Sequence, residues 1–510
     1  MREILGFGLF ALMALTACGI NPPTSQIADG NHAGHNAPAA PADLQAIKSL
    51  HDEALLTGTT AAIDLQLSQV MTLGRVPLIQ LKKDVGLAPG FGQEFLTYLP
   101  ISGASLNAEQ LLANQLVNQG IAMFHNFHYI DAVRSFEQAL RVVPTNIEAK
   151  IFLSLAYISF GGELNAYLFA AKQLADLELM SLSPNQKAWL QFARTYVFEG
   201  GNAMRMQKAF SNLLSTTKGQ DFEAITIGGW VSNLGNRTMY ENVIKADPNH
   251  IGAVHYVLHL LEFENKFQEA ISFGKKLAEL SPSGAHAQHM YGHLLPMNGD
   301  LDGALAQFLK AEKIHLDWAA KYGYDLNYDW HVSHNNHLMG IVYLAKGNIQ
   351  DATRVLYAGC EADMRACEAL GKLAVMELDP KLTKLAIKGA SVMAGPGSTV
   401  AVAAHFSKYD TEIDFLTGAT NDPQAIYNLG TSTQDPVLQI AAVLSTLTPN
   451  SVAEIAQIKG FVDSLFQGGG FDSWASGFPN ARRVRLAAQK YQLQEIVDHI
   501  DLVLAKIVTP

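Results

Sequence analysis

The chain is poor in charge, poor in cysteine and free of the short strings that announce common chemistries. Charged residues make up 16% against 48% hydrophobic ones, a balance that excludes disorder and points to a globular protein. The net charge of −11 offers no basic face to phosphate, so nucleic acid is not an expected partner. The acidity itself reads as ordinary solubility. There is no Cys-x-x-Cys-His haem string, no glycine-rich phosphate loop, no Gly-x-Ser-x-Gly nucleophile turn and no His-Glu-x-x-His helix. At 510 residues the chain exceeds one simple core, unless it is a repeat array growing in one dimension.

The N-terminal apolar run, Ile4 to Ala17 after Arg2, is too short to span a bilayer comfortably and reads as a signal peptide over 1–17. Its end, Leu15-Thr16-Ala17-Cys18-Gly19, resembles the bacterial lipobox, which makes Cys18 the expected lipidation site. A Pro-, Ala-, Asn- and Gly-rich stretch over 18–43 suits a tether. The expected location is the bacterial cell envelope, lipid-anchored, in the outer membrane and facing the periplasm or the exterior. Glu3 and Gly19 bear on this: the first dilutes the basic n-region, and the second is not an inner-membrane retention Asp.

Of the three cysteines, lipidation leaves Cys360 and Cys367, an even pair that predicts a disulfide in an exported chain. Seven residues span ~10 Å on a straight helix, too far to bridge. The bond therefore requires a turn between them, as at a junction of two helices.

Most of the chain carries helical patterning with recurrent small residues. Gly120, Ala132, Phe136, Ala139 and Pro144 mark one helix pair; Gly292, Gly299, Ala304, Phe308 and Ala311 mark another; Gly340, Gly347 and Ala352 a third. Pro248 and Pro282 are 34 residues apart, as are Ala270 and Ala304. Small residues let two helices approach closely, and Pro ends a unit because it cannot continue a helix. Over about half the chain these positions resemble the tetratricopeptide superfamily. The expected fold is all-α: an α-solenoid of tetratricopeptide-type helix pairs over 105–375, with a helical N-terminal cap over 44–104 and a helical C-terminal region over 376–510. An aromatic insert, about Leu316 to Trp330, separates two units and reads either as a lid or as a plug between them.

Ten of the 17 histidines lie between 250 and 337. His255 and His289 are 34 apart, and so are His259 and His293. Residues at the repeat period occupy equivalent places on successive units. Aligned on Asn265, Gly299 and Gly347, His255, His289 and His337 share one repeat position, His259 and His293 a second, and His286 and His334 a third. Glu262 extends the His255/His259 face at i+7. The string His255-Tyr256-Val257-Leu258-His259-Leu260-Leu261-Glu262 looks like a subgroup of bacterial tetratricopeptide proteins with an HYxxHxxE helix. The resemblance implies that these first-helix positions line one concave groove, and it brings no established reaction.

Imidazole is the commonest transition-metal ligand. The expectation is a metal-binding groove drawing on His255, His259, His286, His289, His293, His334 and His337, with zinc the first guess and copper the second. Glu262 is expected as a ligand, or as a catalytic base if the chain is a metal-dependent hydrolase. The alternative is a scaffold that binds a peptide or protein partner in the same groove without metal. The sequence leaves open whether the chain is an enzyme.

Overall fold

Seven helix-to-helix turns share one geometry. Phe127, Asn265, Gly299, Gly347, Leu378, Gln434 and Gln492 each adopt a left-handed φ of 50–75°, and each stands two residues before a helix begins. In every case the next residue donates its N–H to the carbonyl five positions back, at 2.8–3.0 Å. This 6→1 bond closes the last turn of the first helix and reverses the chain in very few residues. The sequence alignment picked out Asn265, Gly299 and Gly347, where Gly or Asn accepts a left-handed backbone at low cost. Phe127, Leu378, Gln434 and Gln492 carry no such signal.

The computed structural model describes residues 44–508 except 73–83, 95, 97, 100–104, 160–163, 324–325, 327–328, 396–397, 449 and 468–470. Among these there are 24 α-helices and no strand. None of the helices is long and apolar enough to cross a membrane. The expected signal peptide, Cys18 and the tether lie outside the described residues.

The chain forms two compact units. One holds the described residues within 30–290 and 313–328; the other holds those within 291–312 and 329–510. In the first unit the Ala108–His125 and Tyr129–Val142 helices pack through Gly120, where a Cβ would fall 2.5 Å from the Phe136 ring. Ala132, five residues past the turn, is fully buried at the same junction. The second unit repeats this arrangement. A Cβ on Gly292 would meet Phe308 at 2.9 Å, and one on Gly340 would meet Leu356 at 2.5 Å. Ala304 and Ala352 are buried at the matching place.

Residues 84–93 run without regular structure along the Ala108–His125 helix. Gln119 clamps them from both sides, accepting from Ala88 N–H (2.7 Å) and donating to the Gly86 carbonyl (2.8 Å). Phe91 is fully buried, edge-on to His128 and Trp318. The Gly90 carbonyl accepts from Ser283 N–H at 2.8 Å. The first part of the aromatic insert is helical: the Leu301–Tyr322 helix includes Leu316, and Trp318 and Tyr322 are buried. Trp318 packs against Phe91, and Tyr322 packs against Trp318.

Candidate metal centre

Three imidazoles converge in the first unit. His255 and His259 sit one turn apart on the Ile251–Phe263 helix, and His286 opens the Ala285–Leu294 helix. His255 Nε2 lies 2.9 Å from His259 Nε2 and 3.1 Å from His286 Nε2. All three residues are fully buried. The neighbouring helix meets His255 with residue 286, one turn nearer its start than the repeat-equivalent His289. The His289 ring lies 5.9 Å from that of His286.

The far sides of the rings decide their protonation. His255 Nδ1 is 2.5 Å from the His125 backbone carbonyl, which can only accept, so the proton is on Nδ1. A neutral His255 then presents a lone pair at Nε2. Glu262 Oε2 stands 3.3 Å from His259 Nδ1 and favours a proton there as well. One lone pair accepts one N–H well; it cannot accept two. At least one of the remaining contacts is therefore lone pair against lone pair, unless an additional proton or a metal ion sits among the three nitrogens. A tetrahedral shell with metal–nitrogen bonds of about 2.05 Å spaces its ligands about 3.3 Å apart. That is a few tenths of an ångström wider than the observed contacts.

Aromatic rings enclose the trio. The Phe127 ring, on the first left-handed turn, is 4.5 Å from His255, 5.0 Å from His286 and 5.7 Å from His259. Trp230 lies 5.4 Å from His259 and stacks on Tyr256 at 4.5 Å. Such a wall keeps water out and lowers the local dielectric.

A second group, His125, Glu223 and His250, lies behind the first. Three of its four imidazole nitrogens are hydrogen-bonded within the protein. His250 caps the Ile251–Phe263 helix, its Nδ1 accepting from Ala253 N–H, so the proton is on Nε2, 3.3 Å from Glu223 Oε1. His125 Nε2 donates to Glu223 Oε2 at 2.7 Å, and its Nδ1 accepts from the Tyr256 hydroxyl at 3.0 Å. Burial pushes the Glu223 carboxyl up, but the two imidazoles outweigh it and hold the carboxyl well below the usual range. Burial lowers His125 despite Glu223, which fits the neutral ring that this bonding requires. Three of the four imidazole nitrogens here are thus hydrogen-bonded within the protein and the fourth, His250 Nε2, faces Glu223 at 3.3 Å, so the group reads as support for the trio. A cleft of about 620 Å³ opens beside it, lined by Tyr98, Trp189, Asp221, Glu223, Asp247 and His250 among others.

In the second unit, His334 and His337 on the Trp330–Ala345 helix meet Asp363. The His293 ring lies 5.5 Å from that of His334. Glu262, expected as a ligand or base, stands behind His259, on the side of the ring away from the converging nitrogens. Cys360 and Cys367 are disulfide-bonded, with Cα atoms 4.5 Å apart, across the break between the Ile349–Cys360 and Met364–Glu377 helices. Sequence reasoning did not reach Glu223 or Asp363. Each sits at a helix start, where an acidic residue has an ordinary local explanation.

No family model matches the chain, and no curated protein matches it.

Proposed function

We propose that this is a metal-binding protein whose ion is held by the Nε2 atoms of His255, His259 and His286. The observation that carries the reading is the pair of contacts at His255 Nε2, made with the Nδ1 proton already committed to the His125 carbonyl. Zinc is the first candidate, because three imidazoles and a carboxylate behind one of them form a familiar zinc set. Copper is the second, because nitrogen ligands in a dry aromatic shell also suit it.

The finer fold reading belongs to the same proposal: an α-solenoid of tetratricopeptide type. The repeated left-handed turns and the Gly120/Phe136, Gly292/Phe308 and Gly340/Leu356 contacts support it. The lipid anchor at Cys18 is part of the same proposal and rests on the lipobox-like string alone.

The test is elemental analysis of natively purified protein beside a His255→Ala/His286→Ala variant. The expected result is a transition metal in the wild type, with one equivalent lost in the variant. A wild type that carries none, and takes up none at neutral pH without chelator, would overturn the reading. The cleft beside Glu223 and His250 favours a second reading, a binding module without metal. Its acidic and aromatic lining suits a basic ligand.

A further inference from the structure

The connection at 360–367 does more than join two helices. Asp363 is the N-cap of the Met364–Glu377 helix, its carboxylate accepting the Arg365 N–H at 2.8 Å. The Cys360–Cys367 disulfide brackets it in a loop whose two cysteines are fully buried. This loop is pressed onto the Trp330–Ala345 helix: a Cβ on Gly359 would meet the Ser333 carbonyl oxygen and the Asn336 Cβ at 3.1 Å. His334 and His337, next to these two contact residues on the same helix, each bring a ring nitrogen near Asp363.

His334, His337 and Asp363 each offer one ligand atom within 4.8 Å of the other two. His334 is fully buried and His337 is 7% exposed. His337 Nδ1 is buried without a hydrogen-bond partner among the described residues. Polar atoms in such places are normally satisfied by protein, water or an ion.

We infer a second divalent transition-metal site of the two-histidine, one-carboxylate type, built from His334, His337 and Asp363 and framed by the Cys360–Cys367 disulfide. Three ligands leave a coordination position for water or an exogenous anion. The disulfide fixes where the helix break falls, and hence where the carboxylate stands. Arg365 opposes the ion: its Nε and Nη2 bond the Asp363 oxygens at 2.9–3.2 Å. Its side chain is 31% exposed and is able to swing away.

The site stands or falls apart from the His255 trio. The test is titration with cobalt(II), read by its visible ligand-field bands, in a full-length His255→Ala/His286→Ala background. One equivalent is expected to bind there, and Asp363→Asn should weaken it by tenfold or more. Cys360→Ala/Cys367→Ala should weaken it similarly while the far-UV helical signal is kept. Arg365→Gln should tighten it. No cobalt bound in that background overturns the site, as does binding indifferent to Asp363→Asn. If the asparagine variant does not fold, an Arg365→Gln protein with unchanged or weaker affinity overturns it instead. Cobalt retained in full by the double-alanine protein removes the disulfide's part in it.

Discussion

His255 Nδ1 donates to the backbone carbonyl of His125, 130 residues earlier in the chain. The carbonyl belongs to the last residue of the Ala108–His125 helix, and the side chain of that residue is tied to Glu223 and Tyr256. One residue thus sets the tautomer of the central imidazole with its main chain and anchors itself with its ring. The trio depends on elements that are far apart in sequence.

Gly252 gives this dependence a test. A Cβ there would fall 2.2 Å from the His125 ring, so Gly252→Ala must displace the ring or the helix. The expected cost is about 1–3 kcal/mol of stability. Metal affinity should fall about 10–100-fold, the usual effect of disturbing a group that orients a ligand. Chemical denaturation and metal titration of the same preparation measure both. Unchanged affinity in a destabilised protein would mean that His125 does not position His255.

Glu262 separates two roles. Standing at Nδ1 of His259, it should orient that ring without touching the ion. Glu262→Ala should then weaken metal binding by about 10–100-fold and leave the stoichiometry at saturation unchanged. Loss of the ion as complete as in His255→Ala would make Glu262 a ligand. No change at all would remove it from the site.

Acid sensitivity should arise in part at Glu368 in the second unit. Burial raises this carboxyl, but the hydrogen bond from His405, the nearby Lys408 ammonium and the Tyr409 hydroxyl outweigh it and hold it well below the usual range. A carboxyl lowered in the folded state binds fewer protons there than in the unfolded chain between the two pKa values. Its stabilisation is whole above the unfolded value of about 4.3 and drains away as pH falls toward the folded one. Urea unfolding at pH 7 and at pH 3.5 should show a smaller loss in Glu368→Gln than in the wild type. Equal losses would place the acid sensitivity elsewhere.

How far the sequence reaches follows from the range of each signal. The helix pairs were legible because the small residue before each turn and the alanine after it recur at fixed spacing, as at Gly292 and Ala304. The histidine face of the Ile251–Phe263 helix was legible from the i, i+4 spacing of His255 and His259. The partner on the next helix was not. Repeat register offers His289 as the equivalent of His255, whereas contact depends on how far one helix slides along the other, and that brings up His286. The roles of His125 and Glu223 were hidden too, because hydrogen bonds spanning 98 and 130 residues leave no local pattern. Phe127 has the same limit: its left-handed turn and its place over the trio both come from packing.

Arg483 shows what the C-terminal region conceals most completely. The side chain is 1% exposed, and its guanidinium bonds Glu412 at 3.0–3.1 Å and Asp435 at 2.9 Å. Asp435 also caps the Pro436–Leu444 helix through Val437 N–H, so the guanidinium ties two helices and a cap together. Arg483→Met keeps the bulk and removes the charge, leaving two buried carboxylates facing each other. Breaking a buried pair in this way costs about 3–5 kcal/mol. Arg483→Lys should recover only part of it, because an ammonium lacks the planar fork that reaches both acids. The pH dependence discriminates the cause. If repulsion and desolvation of the orphaned carboxylates produce the loss, it should shrink as pH falls through the carboxylate range and they take up protons. Denaturation midpoints at pH 7 and pH 4 measure this. A loss equal at both pH values would trace the defect to packing around Tyr409, over whose ring Arg483 lies at 5.5 Å.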